Sequence, residues 1–121
     1  MKLNPFEIGN IEWLDEAAEE YRNLDGSVKA IVLKAIMKVL KNPEPSSDGG
    51  YGKPLGNLSS SKLSGYNKIK IKRAGLRIVY KYIQTNNGMR IIIISARDDD
   101  YVYKQAEKRI AKYESETRQN G

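Results

Sequence analysis

Three lysines at alternate positions are the residues of this sequence best suited to chemistry. Lys68, Lys70 and Lys72 are separated by Ile69 and Ile71, which is the period of two expected of a strand with one apolar face. Residues two apart in a strand lie ~6.8 Å from each other, so each pair of ammonium groups repels by roughly 2 kcal/mol at an effective dielectric of about 20. A strand that carries this repulsion is expected to bind an anion.

The rest of the composition restricts the chemistry that these lysines could support. The sequence contains neither histidine nor cysteine, which removes the usual general base, thiolate catalysis and disulfides. Proton transfer would therefore use Lys, Arg, Tyr, Asp or Glu. Lys70 is the candidate base, because the charges of Lys68 and Lys72 on the same strand face would lower its pKa. No cofactor and no metal are predicted.

Positive charge is concentrated in the middle of the chain. The net charge is +6 at pH 7, yet residues 49–97 contain every excess cation: ten lysines and arginines and no acidic residue. A block of this kind is the electrostatic footprint of a protein that binds a polyanion such as nucleic acid. The alternative is a solvated basic surface without a partner.

The segment before the basic block predicts two helices. Residues 6–13 could form a short first strand, and Asp15 is a plausible N-cap for a first helix. A strong apolar stripe over residues 28–40 predicts a second helix. The short break at Asp25-Gly26 predicts that the two form a helical hairpin.

The basic block itself predicts a long loop and a three-stranded antiparallel meander. Residues 43–65 are rich in Pro, Gly and Ser and need anchoring, for which Lys53-Pro54-Leu55 and Leu58 are candidates. Strands are predicted at residues 66–72, 76–84 and 89–96, with turns at Arg73-Ala74-Gly75 and Asn86-Asn87-Gly88. The last strand is apolar on both faces, which indicates a central strand covered on each side.

One further helix is predicted at the end of the chain. Asp98-Asp99-Asp100 is expected to cap it, with an acidic metal site as the less favoured alternative. Its apolar face is formed by Val102, Ala106, Ile110 and Tyr113. These elements predict an α+β fold: an N-terminal helical hairpin packed on a small antiparallel sheet, with a C-terminal helix.

Length and hydropathy fit one domain in the cytosol. The 121 residues match a single domain, with residues 1–7 and 114–121 expected to fray. No apolar run approaches membrane-spanning length, and the N-terminus lacks the apolar core of a signal peptide. A cytosolic protein without a membrane partner is therefore expected.

These elements and motifs, in this order, resemble the RelE/ParE toxin superfamily over roughly residues 13–110. The resemblance is carried by Lys53-Pro54-Leu55, by Lys68-Ile69-Lys70 with Gly75-x-Arg77-Ile78-Val79-Tyr80, and by Arg97 followed by Val102-Tyr103-x-x-Ala106-x-x-Arg109. RelE-type members are ribosome-dependent endoribonucleases that cut mRNA in the decoding site, whereas ParE-type members poison DNA gyrase. The chain is similar to the RelE type, because five residues match RelE active-site positions: Lys68, Lys70, Arg77, Arg97 and Tyr103.

The resemblance implies a role for each of these residues in RNA cleavage, in which a ribose 2′-hydroxyl attacks the adjacent phosphate and the 5′-oxygen leaves. Lys70 would be the general base, and Lys68 and Arg77 would stabilise the charge on the phosphate. Arg97 would lie near the leaving oxygen as proton donor or charge stabiliser, and Tyr103 would stack on a base and orient it. Further RNA contacts are expected from Lys53, Lys72, Arg73, Lys81 and Arg109.

The resemblance also implies partners. The chain would be the toxin of a type II toxin–antitoxin system, with a cognate RelB-like antitoxin, the ribosome and mRNA as partners. A ParE-like gyrase inhibitor and a non-catalytic RNA-binding module are the alternatives. Three features depart from the family pattern: the long loop at 43–65, the weak first strand, and the acids at 98–100, which would repel RNA if they faced it.

Overall fold

The computed structural model describes residues 4–55 and 63–120, and within them the chain forms three α-helices and five strands. In chain order the elements are β1 (Ile11–Trp13), α1 (Asp15–Arg22), α2 (Gly26–Leu40), β2 (Lys53–Pro54), β3 (Tyr66–Ile71), β4 (Leu76–Ile83), β5 (Gly88–Ala96) and α3 (Asp99–Asn120). The predicted α+β class is confirmed. Leu58, a predicted loop anchor, lies outside the described residues.

The five strands form one mixed sheet in the order β1-β5-β4-β3-β2. Strands β3, β4 and β5 are the predicted antiparallel meander, but β1 pairs parallel to β5 and β2 pairs antiparallel to β3. The prediction of a small antiparallel sheet was therefore wrong in strand number and in direction. A two-residue strand such as β2 has no periodicity to detect, and pairing between β1 and β5 joins residues far apart in sequence.

The helices cover both faces of the sheet. On one face, α1 contacts β5 and α2 contacts β3, and on the other α3 contacts β5 and β4. The predicted first strand within residues 6–13 is present as β1. The predicted N-terminal hairpin needs correction, because each of the two helices packs on a different strand. Asp15 is the first residue of α1 rather than its cap, whereas Asp25 caps α2 by accepting hydrogen bonds from Ser27 N and Val28 N.

The central strand β5 supplies core residues to both faces. A β-bulge lies opposite Val79 and Tyr80, which pair with Ile93 and Ile91 and leave Ile92 without a partner. As a result, Ile92 and Ile93 both join the core beneath α3, while Ile91 joins the core beneath α1 and α2. The predicted burial of this strand on both faces is confirmed.

Secondary structure extends close to both ends of the described chain. Residues 5–7 form a 3₁₀ turn in which Pro5 is buried, and Phe6 packs against the rings of Trp13 and Tyr21. Helix α3 continues to Asn120, beyond Tyr113, where its apolar stripe ends. The fraying predicted for residues 1–7 and 114–121 stays a prediction.

The loop between α2 and β2 is held against the sheet. Tyr80, fully buried in β4, donates a hydrogen bond from its hydroxyl to Pro43 O at 2.8 Å. Leu55 and Leu63 are buried in the core beneath α3, which confirms Leu55 as an anchor. Residues 43–55 are therefore fixed to the edge of the sheet beside β3.

Candidate active site

Because side chains alternate along β3, Lys68 and Lys70 lie on the face of the sheet that α3 covers. Ile69 and Ile71 are buried beneath α1 and α2, so Lys68 and Lys70 project from the opposite face. Lys70 lies directly across from Arg77 of β4, and Lys68 lies directly across from Lys53 of β2. Because side chains of directly opposed residues project on the same side, four cations converge on this part of the sheet.

The Lys70 side chain is exposed, and its pKa lies below the usual lysine value of 10.5. Lys68 makes the largest contribution to this decrease, followed by Arg77 and Lys53, and Asp99 opposes it. The predicted effect of like charges on Lys70 is therefore present. One of its predicted sources was wrong, because Lys72 has left the strand and begins a 3₁₀ turn over Lys72–Ala74.

Tyr103 completes one side of the cluster from the first turns of α3. Its ring is 6% exposed, and its hydroxyl accepts a hydrogen bond from Lys68 Nζ at 3.4 Å. Burial raises the pKa of the Tyr103 hydroxyl, and Asp99 raises it further, so the phenol stays protonated. A ring this buried offers almost no free face to a nucleobase, and the geometry favours a contact that holds Lys68 over the predicted stacking role.

Arg77 and Asp99 form an ion pair at the same site. Arg77 Nε donates to Asp99 Oδ1 at 3.2 Å, with side-chain exposures of 14% and 37%. Asp98 instead caps α3, since its Oδ1 accepts a hydrogen bond from Tyr101 N at 3.2 Å. The predicted capping by the acidic triplet therefore holds for Asp98, whereas Asp99 faces the cationic cluster and partly neutralises it.

Arg97 lies at the end of the sheet where the cluster is open to solvent. Ser95 of β5 is in register with Arg77, and Arg97 follows two residues later, just beyond the strand. Its backbone N–H donates to Gly75 O at 3.0 Å, and the residue is exposed. Within residues 4–55 and 63–117 its guanidinium makes no hydrogen bond or ion pair, so it is available to an incoming anion.

The predicted RNA contacts fall into two groups. Lys53, Lys72 and Arg73 line a groove of about 530 Å³ together with Lys70 and with Lys34 and Lys38 of α2. The floor of this groove is apolar, from Ala30, Ile31, Ala35 and Ile71. Its cationic rim extends the cluster along the edge of the sheet, as expected of a path for a polyanion.

Lys81 and Arg109 lie away from that groove. Lys81 Nζ is 5.8 Å from the ring centre of Tyr66, with which it is in register. Arg109 binds Glu20 through both Nη atoms, at 2.7 and 2.8 Å, and also donates to Ile92 O at 3.1 Å. This arrangement favours a structural role for Arg109, joining α1, β5 and α3, over the predicted contact with RNA.

Sequence reasoning missed three groups that the fold brings to the site. Lys34 and Lys38 are spaced by one helical turn on the exposed side of α2, a pattern indistinguishable from an ordinary solvated face. Tyr51, which is 54% exposed, lies in a Gly-rich segment with no periodicity. The only indication of Tyr51 in the sequence is that an aromatic residue stands two positions before Lys53.

Two further observations concern other classes of site. Among the described residues, no three acidic side chains are grouped so that they could hold a metal ion. Within the same part of the chain, no helix has both the length and the apolar character needed to cross a membrane.

Proteins similar to this chain in sequence or in fold are known. No family model matches the chain. The mRNA interferase toxin RelE of Escherichia coli (strain K12) is 27% identical over 103 residues, which cover 83% of this chain and 95% of that protein. The mRNA interferase RelE of Shigella flexneri matches with the same identity and coverage.

Two solved structures share the fold. A mutant of E. coli toxin RelE in the free state superposes with a TM-score of 0.62 at 24% identity, covering 83% of this chain and 95% of that one. The intact E. coli RelBE toxin–antitoxin complex gives a TM-score of 0.54 at 23% identity, covering 73% of this chain and 95% of that one. The chain is thus similar in sequence to RelE mRNA interferases and shares the fold of solved RelE structures.

Proposed function

We propose that this protein is the toxin of a type II toxin–antitoxin pair and an endoribonuclease that cleaves mRNA in the ribosomal A site. Its E. coli and Shigella relatives are named mRNA interferases. The observation that carries the proposal is the convergence of Lys68, Lys70 and Arg77 beside Tyr103, with the pKa of Lys70 lowered by its cationic neighbours. A base with a reduced pKa surrounded by fixed positive charge suits attack on a phosphodiester.

The chemistry requires two proton transfers and stabilisation of one transition state. Neutral Lys70 takes the proton of the ribose 2′-hydroxyl, and the 2′-oxygen then forms a bond to the adjacent phosphorus. The bond from phosphorus to the 5′-oxygen breaks, which leaves a 2′,3′-cyclic phosphate on the upstream fragment. The 5′-oxygen takes its proton from solvent, because an arginine guanidinium is a poor acid.

The other residues stabilise charge in this scheme. Lys68, held by the Tyr103 hydroxyl at 3.4 Å, and Arg77 bind the non-bridging oxygens of the phosphate. Arg97, exposed at the end of β5, stabilises the negative charge that develops on the departing oxygen. Lys53, Lys72 and Arg73 bind neighbouring backbone phosphates along the groove beside α2.

A low intrinsic rate is consistent with the proposed dependence on the ribosome. Lys70 can act as a base only after it loses its proton, a requirement that its cationic neighbours ease by lowering its pKa from the usual 10.5 but that still limits the rate. A partner that holds the substrate in a reactive geometry would offset this weakness. The solved RelBE complex supports a RelB-like antitoxin as the protein partner, and a cytosolic location stays a prediction.

Mapping mRNA 5′ ends in a translating extract tests the proposal. We expect cuts within codons at the A site that disappear when ribosomes are omitted. Lys70→Ala and Arg97→Ala should still bind ribosomes but lose cleavage, while Lys108→Ala, which removes an exposed cation from α3, should cleave as the wild type does. Loss of DNA supercoiling without mRNA cleavage would reject the proposal in favour of gyrase inhibition.

A further inference from the structure

Tyr51 exposes its aromatic ring beside the candidate active site. It lies between α2 and β2, in the segment that is fixed to the edge of the sheet, and is 54% exposed. Tyr101 on α3 is the one other large hydrophobic residue exposed to this degree in the described part of the chain. An exposed aromatic ring next to a cluster of cations is a common feature of surfaces that bind single-stranded nucleic acid.

Tyr51 lines a groove of about 310 Å³ at the edge of the sheet. Ala35, Val39 and Ile69 give this groove an apolar lining, and its cations are Lys38, Lys53, Lys68 and Lys70. The volume is at the lower end of the range for small-ligand sites, roughly 300–1,000 Å³. An apolar lining with cations around it matches a nucleotide, whose base is flat and largely apolar and whose phosphate is anionic.

The backbone on either side of Tyr51 is held in place by hydrogen bonds. Tyr51 N donates to Asn42 O at 2.8 Å, Gly52 N donates to Glu44 O at 2.9 Å and Ser46 N donates to Gly52 O at 2.6 Å. Neither flanking glycine has room for a side chain: a Cβ on Gly50 would meet Glu44 O, and one on Gly52 would meet the Tyr80 hydroxyl. The ring is therefore presented by a fixed backbone, which reduces the entropy lost on binding.

We propose that Tyr51 and this groove form a nucleobase subsite, in which the base of a nucleotide next to the cleaved phosphate stacks on the Tyr51 ring. Lys68 and Lys70 belong both to the groove and to the catalytic cluster, so a nucleotide in the groove is a neighbour of the reacting one. Tyr103 cannot supply this stacking surface, because its ring is buried. The inference deepens the proposed function and rests on it, since it takes single-stranded RNA as the substrate.

A binding measurement with an RNA that cannot be cleaved tests the subsite. The probe is a short single-stranded RNA in which every 2′-hydroxyl is methylated, titrated into the full-length protein. Tyr51→Ala should weaken binding by about 5- to 150-fold, the range of measured losses when a stacking aromatic is removed. Tyr51→Phe should bind as the wild type does, because stacking needs the ring and not the hydroxyl, and Tyr101→Ala is the matched control.

A direct signature of stacking comes from proton NMR of the same titration. The ring protons of Tyr51 should shift upfield as a base covers them, and those of Tyr101 should not move. Equal affinity of Tyr51→Ala and the wild type, unmoved Tyr51 resonances at saturating RNA, or no binding at millimolar RNA would each overturn the subsite.

The subsite and the proposed function fail in different ways. If the wild type binds the methylated RNA through Tyr51 but never cuts mRNA in a translating extract, the subsite stands and the nuclease proposal falls. If the wild type cuts mRNA while Tyr51→Ala binds and cuts equally well, the nuclease proposal stands and the subsite falls.

Discussion

Arg77 and Asp99 are joined by an ion pair of 3.2 Å between β4 and the first turn of α3. The carboxylate occupies a donor of the guanidinium that should bind the phosphate in the proposed reaction. Asp99 also raises the pKa of Lys70, against the lowering by Lys68, Arg77 and Lys53. Asp99 is thus a built-in competitor of the substrate phosphate.

Replacing this acid should make the enzyme faster. Asp99→Asn keeps the size of the side chain but removes its charge, which frees Arg77 for the phosphate and lowers the pKa of Lys70 further. We expect mRNA cleavage in a translating extract to rise by roughly fivefold, which corresponds to about 1 kcal/mol of extra transition-state stabilisation. The initial rate of appearance of cut mRNA measures the effect.

Asp100→Asn is the matched control, because it removes the same charge from an exposed neighbour and should leave the rate almost unchanged. A slower Asp99→Asn enzyme would contradict competition and would indicate that Asp99 instead positions Arg77 for catalysis.

Lys70→Arg separates the role of a base from that of a positive charge. Arginine keeps the charge and most of the length but does not lose its proton in the accessible pH range. We therefore expect a loss of about 100-fold or more in cleavage, with ribosome binding retained in a pelleting assay. Lys68→Arg, at a position assigned to charge stabilisation, should lose roughly tenfold at most. Equal, small losses in both variants would reject Lys70 as the base.

The pH dependence of cleavage should report the charges around Lys70. The reaction needs the neutral amine, so the rate should rise with pH and level off at the pKa of Lys70, below the usual 10.5. Lys53→Gln removes one of the charges that lower this pKa, so the rising limb should move to higher pH and the rate at neutral pH should fall. Lys72→Gln, in the turn beyond β3, should leave the limb in place. If the rising part of the pH–rate profile moves equally in both variants, the two lysines act by binding phosphate in general and not by lowering the pKa of Lys70.

The parts of the site that lie within one strand pair could be predicted from the sequence. Period-two alternation placed Lys68 and Lys70 on one face, and the turn at Arg73-Ala74-Gly75 brought Arg77 opposite Lys70. Alternation alone does not show where a strand stops. Lys72 continued the pattern but belongs to the 3₁₀ turn. The charge that was expected from Lys72 to lower the pKa of Lys70 comes instead from Lys53 of β2.

Features that depend on distant pairing could not be predicted. Arg109 lies beside the apolar stripe of α3 and looked like a free cation, because its partner Glu20 is 89 residues away. Tyr51 lies in a segment whose conformation depends on hydrogen bonds to Asn42 and Glu44 and not on any local pattern. Tyr103 was placed on α3 correctly, but its burial depends on how that helix packs on the sheet.

The Tyr80 hydroxyl should link the stability of the fold to the position of the Tyr51 segment. It is the buried donor to Pro43 O at 2.8 Å, and Tyr80→Phe leaves that carbonyl without this partner. We expect a loss of about 1–2 kcal/mol in the free energy of unfolding by urea, with weaker binding of single-stranded RNA. Tyr82→Phe loses longer contacts to Glu44 and Asn87 at 3.3 and 3.1 Å and should change stability by about 0.5 kcal/mol at most. Equal effects of the two variants would contradict the proposed link.

The pair of Arg109 and Glu20 should stabilise the packing of α3 on α1 and β5. Both Nη atoms bind the carboxylate, and Glu20 Oε1 also accepts from Ile94 N at 3.1 Å. Arg109→Met leaves this largely buried carboxylate unpaired, so we expect a loss of about 3 kcal/mol in urea unfolding. Lys112→Met is the matched control, because its contact with Glu16 is 3.7 Å long between exposed side chains and should contribute less than about 1 kcal/mol. RNA affinity of folded Arg109→Met should equal that of the wild type; a large loss of RNA affinity with unchanged stability would restore Arg109 as an RNA contact.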